Sequence, residues 1–154
     1  RYFCLSRGLG DVYKRQMMAN GTTVALNKLL HEPGLFQSLQ KNIRILRSVL
    51  DAVDTITIPS DPDSALIHVQ IRPNDRYSSR EEQKRRLGLI ERLALNQGVL
   101  LCQSPHIASI RPELDEGPWA RPSLRIAATS VLSEAETKQA ADIIRASIVS
   151  VLNS

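Results

Sequence analysis

The sequence predicts a small α/β layer, an α+β domain with helices on one face of a sheet and the other face left to dock elsewhere. Three observations carry that prediction. Residues 123–129 alternate around Leu124, Ile126 and Ala128, the period of a half-buried strand, and run straight into a helix start at Ser133. Residues 35–53 keep an apolar stripe at three- and four-residue steps. A short β-branched run, 55–58, and an alternating one, 65–71, flank a Pro-Ser-Asp-Pro-Asp-Ser stretch that is turn chemistry. At 154 residues the chain fits one domain or a piece of a larger protein.

Taken in order, residues 1–16 (RYFCLSRGLGDVYKRQ) start without a methionine and show neither a helical nor a strand period. They resemble a translated adapter read-through, so they are expected to be a non-native prefix and stand outside the fold reasoning. Removing them changes the electrostatics. Arg1, Arg7, Lys14 and Arg15 against Asp11 hold +3 of the chain's +4, leaving only +1 for the rest. A balance that even does not support a nucleic-acid or anionic-membrane surface. Cys4 leaves with the prefix, and the single remaining thiol, Cys102, makes no disulfide, which suits a reducing compartment. No apolar run approaches the roughly 18 residues of a membrane span.

Val24, Ala25, Leu26, Leu29 and Leu30 predict a short helix that stops near Pro33-Gly34. Leu35, Phe36, Leu39, Ile43, Leu46, Val49, Leu50 and Val53 then predict a longer one, read as lying on a sheet, with a partner helix as the alternative. After the two strands, Pro73-Asn74-Asp75 breaks the chain and Ser78 or Ser79 caps a third helix with Glu81 and Glu82 in its first turn. Leu87, Ile90, Leu93 and Ala94 face inward and Gly98 stops it. Residues 99–102 form a compact apolar strand. A Pro-rich connection, 103–121, follows with Trp119 anchoring it, and its length places it near a subunit interface. The last strand and helix close the chain: Ser133 with Glu136 is a capping box, and Ala140, Ile143, Ile144, Ile148, Val151 and Leu152 form the buried face.

Chemistry is sparse. His31, His68 and His106 are far apart, and no HExxH, CxxC or glycine-rich phosphate loop occurs, so no metal site is expected. His68 reads as a surface or interface histidine rather than a base. Cys102 reads as a small buried hydrophobe. The run SREEQKRRLGLIER mixes both signs at helical spacing and reads as a solvated face with intrahelical pairs rather than a phosphate patch. Arg125, opposite Leu124 and Ile126 in the strand, has the planar fork that clamps a carboxylate, although spacing alone favours a structural salt bridge.

Three passages carry a resemblance: SLQKNIRILRSVLDAVDTITIPSDPDSALIHVQI, the helix ending in NQGVLLCQ, and RPSLRIAATSVLSEAETKQAADIIRASIVSVL. Residues 17–154 resemble the C-terminal part of the first, non-catalytic long-chain-base subunits of serine palmitoyltransferases, in the α-oxoamine synthase group of fold-type-I pyridoxal-phosphate enzymes. The resemblance implies a C-terminal small domain over 54–154 with a mostly antiparallel sheet, preceded over 17–53 by the helical end of the large domain and a linking helix. It implies that Met17 is internal to a truncated reading frame. In catalytic relatives an Arg-x-Arg strand is followed by small residues, a histidine and the last helix; its second arginine, which binds the substrate carboxylate, matches Arg125. The first arginine's position is Ser123 and the histidine's is Leu132, departures that suit a subunit without the chemistry.

The family's Schiff-base lysine lies upstream, and none of Lys28, Lys41, Lys84 or Lys138 sits in its context, so catalytic and cofactor-binding residues are expected to be absent from this chain. The implied function belongs to a heterodimer with the catalytic subunit. That complex binds pyridoxal phosphate and condenses L-serine with palmitoyl-CoA to 3-ketosphinganine in sphingolipid biosynthesis. Its expected location is the cytosolic face of the endoplasmic reticulum membrane, attached through sequence outside this chain, and this chain by itself is expected to be inactive. Two other readings stand beside it: a catalytic α-oxoamine synthase, and a stand-alone α+β module that binds an amino acid through Arg125.

Overall fold

The computed structural model describes residues 6–73, 79–104 and 121–153. The chain forms two compact units, Arg1–Gln37 and Ser38–Ser154. The first holds α1 (Ser6–His31) and the start of α2 (Pro33–Leu50). Two expectations are corrected here. Helix α1 extends well ahead of residue 24, and residues 6–16, read as lacking any period, lie within it. No proline interrupts the segment before Pro33, so the backbone ladder runs on without an apolar face to bury. Val24, Leu26, Leu29 and Leu30 are all exposed.

In the second unit, α2 buries Asn42, Ile43, Leu46 and Leu50, while Val53 joins the core just beyond it. The N-terminal part of its predicted stripe is not buried, for Phe36 is 57% exposed. Strands β1 (Ile56–Thr57), β2 (Leu66–Ile71), β3 (Cys102–Gln103) and β4 (Leu124–Ala127) form a four-stranded antiparallel sheet in the order β1-β2-β4-β3. The two strands flanking the Asp-Pro turn are neighbours, with Ile56 opposite Ile71. The apolar strand expected over 99–102 starts only at Cys102, since the ladder to β4 comprises Cys102 opposite Arg125 and Gln103 opposite Leu124. Leu100 is exposed and Leu101 buried ahead of it.

Helix α3 (Arg80–Asn96) begins after Ser79, whose side chain makes no cap bond, and ends at Gln97 before Gly98. Gly98 has φ +85°, a left-handed conformation that a Cβ would strain, which is why glycine stands where the helix stops. On its solvent side Glu82 accepts from Arg85 Nε at 2.8 Å and Nη2 at 2.7 Å and from Arg86 Nε at 2.8 Å, the intrahelical pairing the charge pattern predicts. Hydrogen bonds from Arg85 and Arg86 lower the Glu82 carboxyl to about 2. Arg86 also donates to the Val151 carbonyl near the C-terminus of α4, where a cation is favoured.

Helix α4 (Glu134–Leu152) opens on the predicted capping box: Ser133 Oγ accepts from Glu136 N–H at 3.3 Å and Glu136 Oε2 accepts from Ser133 N–H at 2.9 Å. Its buried face is rotated from the expected stripe. Thr137, Ala141, Ile144, Ser147, Ile148, Val151 and Leu152 are buried, and Ala140 and Ile143 lie at the edge. Ile67, Val69 and Ile71 of β2 and Leu124 and Ile126 of β4 meet Leu46, Leu50, Leu87, Ile90, Ile144 and Ile148 in one core, so α2, α3 and α4 cover the same face of the sheet.

Candidate functional site

Alternation dictates what the other face of the sheet carries, because each residue beside a core position points away from the helices. On β2 these are Leu66, His68 and Gln70; on β4, Arg125 and Ala127; on β3, Cys102. The register sets His68 directly opposite Arg125, and Arg125 directly opposite Cys102, so the three lie in one row across adjacent strands. Directly paired antiparallel residues stand about 5 Å apart. The expectation that Cys102 is buried is therefore corrected: its strand partner is Arg125, which places it on the outer face, and it is exposed.

Arg125 is exposed and, among the described residues, makes no salt bridge, which corrects the structural ion pair that spacing favoured. The physical reason lies in its neighbours: the groups set beside it by the register are an imidazole and a thiol, not a carboxylate. Just before β4, Ser123 is buried, and its Oγ lies 3.1 Å from His68 Nδ1. The His68 backbone N–H donates to Ser60 Oγ at 2.7 Å, and Arg47 Nη2 donates to the Ser60 carbonyl. A polar chain thus ties α2, the turn before β2, and the flank of Arg125 together. Burial first, and the Arg125 cation second, lower the His68 pKa from 6.5, so the imidazole beside Arg125 is neutral at physiological pH. The outer face is not wholly open, since Gln70 and Ser123 are buried on it.

Sequence reasoning named Arg125, His68, Ser123 and Cys102 one at a time, and the sheet brings them together. It missed Ser60, and it missed Asn42, whose Nδ2 donates to the carbonyls of Thr129 and Leu132 at 2.8 Å each. Those bonds hold the connection from β4 to α4. A signal existed: Asn42 sits three residues after Leu39 and four before Leu46, a polar residue on an apolar stripe. Leu132, at the histidine's position in the family pattern, lies on that connection and is exposed. His106, Trp119 and the proposed interface connection over 103–121 fall almost wholly outside the described residues, as does Cys4. Among the described residues no three His, Cys, Asp or Glu side chains cluster as metal ligands.

What the row suits is a carboxylate, which accepts from a guanidinium fork that has no acidic partner among the described residues. Pyridoxal phosphate asks for more: a lysine for its covalent anchor and a cradle for its phosphate. Lys28, Lys41, Lys84 and Lys138 all occupy exposed helix positions and none belongs to the sheet; Lys41 pairs with Glu134 at 3.3 Å. The described residues do not fit a complete cofactor site.

No family model matches the chain. Among solved structures the fold is similar to Oryza sativa TDC with PLP and tryptamine, at a TM-score of 0.56 and 17% identity, covering 77% of this chain and 22% of that one. It is also similar to the aminotransferase TlmJ from Streptoalloteichus hindustanus, at a TM-score of 0.54 and 13% identity, covering 84% of this chain and 35% of that one. These likenesses define the fold class: a small α/β unit of the kind found in fold-type-I pyridoxal-phosphate enzymes. The chain spans well under half the length of either of those proteins.

Proposed function

We propose that this chain is part of the non-catalytic subunit of a serine palmitoyltransferase. In this reading it packs against the catalytic subunit and supports the pyridoxal-phosphate-dependent condensation of L-serine with palmitoyl-CoA to 3-ketosphinganine, on the cytosolic face of the endoplasmic reticulum membrane. One observation carries it: Arg125 stands exposed opposite His68 with no acidic partner among the described residues, while Lys28, Lys41, Lys84 and Lys138 lie on exposed helix positions. A face with a carboxylate-binding cation and no amine anchor can position an acid or a partner chain, but it cannot hold the cofactor covalently. No described helix is long and apolar enough to cross a membrane, so in this reading the attachment belongs to other parts of the protein.

The test is reconstitution in cells deleted for their own first subunit, supplying the protein that carries this chain with and without the catalytic subunit. Serine-dependent 3-ketosphinganine synthesis is expected only when both are present, and the two are expected to co-purify. Covalent retention of pyridoxal phosphate on a lysine of this chain after borohydride reduction, or failure to co-purify and to restore synthesis, would overturn the reading.

A further inference from the structure

Ala140 and Ile143, the apolar residues of α4 that the core leaves at its edge, line a cavity instead. Glu136 is followed three, four and seven residues on by Gln139, Ala140 and Ile143, so the four share one side of the helix. All four border a space of about 390 Å³, closed on its other sides by the α3–β3 connection and the end of β4. That volume falls within the roughly 300 to 1,000 Å³ of small-molecule sites. Val99, Leu101 and Ala128 extend the aliphatic wall, and among the described residues no aromatic ring lines it. Leu100 and Leu132 also line it while 73% and 41% exposed, which is apolar surface that folding leaves in water. The polar part of the wall is Gln97, Thr129, Glu136 and Gln139, and among the described residues Glu136 alone carries a charge there. Its Oε2 accepts from the Ser133 N–H and hydroxyl, bonds that hold its pKa below the ordinary carboxylate value and keep it ionised. No cation pairs with it among the described residues, since Lys41 is engaged by Glu134. A full negative charge also exceeds the roughly half positive charge of the helix end it caps.

We infer that this cavity binds an aliphatic ammonium whose head also carries a hydroxyl group, the chain lying along Val99, Ala140 and Ile143 and the head meeting Glu136, Gln139 and Gln97. The class follows from three features. Aliphatic walls without rings favour an alkyl chain over a stacked aromatic. An ionised carboxylate with no cation beside it attracts an ammonium head and repels a fatty carboxylate. The amides of Gln97 and Gln139 and the hydroxyl of Thr129 both donate and accept, so a hydroxyl next to the ammonium finds partners among them. The site lies within the second unit and does not depend on the function proposed above.

The probes are 2-amino-1-octanol and 1,2-octanediol, which differ in an ammonium against a hydroxyl, titrated at neutral pH into the full chain carrying methyl-labelled Ile, Leu and Val. Saturable shifts are expected at Val99, Leu101 and Ile143, with the amine binding about 2- to 5-fold more tightly than the diol, the range of an exposed ion pair. Octylamine, which lacks the hydroxyl, is expected to bind at least ~2-fold more weakly than 2-amino-1-octanol. Glu136→Gln removes the charge and keeps the capping box, whose reach-back bond glutamine also makes. It is expected to bring the amine down to the affinity of the diol and to leave the diol unchanged. The Ile67 and Ile148 methyl signals report whether the core survives the substitution; if they are lost, the unsubstituted chain at about 1 M salt decides, where screening is expected to erase the advantage of the amine. Shifts that do not saturate, equal affinity for amine and diol, an advantage that survives both Glu136→Gln and high salt, or octylamine binding as tightly as 2-amino-1-octanol would each overturn the inference.

Discussion

His68 is half-buried directly opposite Arg125, and that placement gives it a titration a solvated histidine would not have. Its folded-state pKa lies below the ordinary 6.5 because burial and then the Arg125 cation oppose its charging. The unfolded chain therefore takes up the proton first. The stability tied to a neutral His68 is fully present above 6.5 and is lost as pH falls through the lower folded value. In an NMR titration the His68 ring signal is expected to have its midpoint below 6.5, and Arg125→Gln should raise it only part of the way, because burial is the larger cause. A midpoint in Arg125→Gln fully restored to 6.5 would show that charge alone sets it. Arg125 itself was legible as an outward cation from a period of two, but its having His68 and Cys102, and no carboxylate, as strand partners came from the cross-strand register, which no local pattern contains.

At the scale of the element, α4 shows what short-range chemistry fixes. The Ser133–Glu136 box is written in four consecutive residues, and the structure forms both of its bonds. Ser133→Ala is expected to cost about 1 kcal/mol in urea unfolding, the typical loss when an N-cap hydroxyl is removed. The buried face of the same helix was less legible. Counting apolar residues put Ala140 and Ile143 on it with Ile144, Ile148, Val151 and Leu152; the last four are buried, but Ala140 and Ile143 are only partly so and the core also takes Thr137, Ala141 and Ser147, so two hydroxyl-bearing residues occupy core positions. Ser147 satisfies its hydroxyl on the Ile143 carbonyl at 2.9 Å, while Thr137 does not pair. Hydrophobic periodicity sees neither, because it measures side-chain polarity and not where the partner elements lie.

Across the whole second unit, the bond that closes the layer is Asn42 on α2 gripping the β4–α4 connection ninety residues away in sequence, at Leu132. Asn42 is buried, and replacing it by alanine strands the Thr129 and Leu132 carbonyls and leaves a void. Asn42→Ala is expected to destabilise by about 1 to 3 kcal/mol in denaturant unfolding, roughly the loss of two side-chain hydrogen bonds made by a buried amide. A loss below ~0.5 kcal/mol would mean that water reaches both carbonyls.

By itself the sequence determined the α/β class, the outward face of β4, the start of α4, the glycine stop of α3 and the intrahelical pairs of its charged side. Each depends on residues within a few positions of one another, where sterics, capping and periodicity act. Only the tertiary structure decided the strand order β1-β2-β4-β3, the row of His68, Arg125 and Cys102, the grip of Asn42 and the cavity beside Thr137. Those depend on which distant segments are brought into register when the helices bury the sheet, and the free energy that selects that arrangement is shared by the whole core rather than stored in any one stretch of chain.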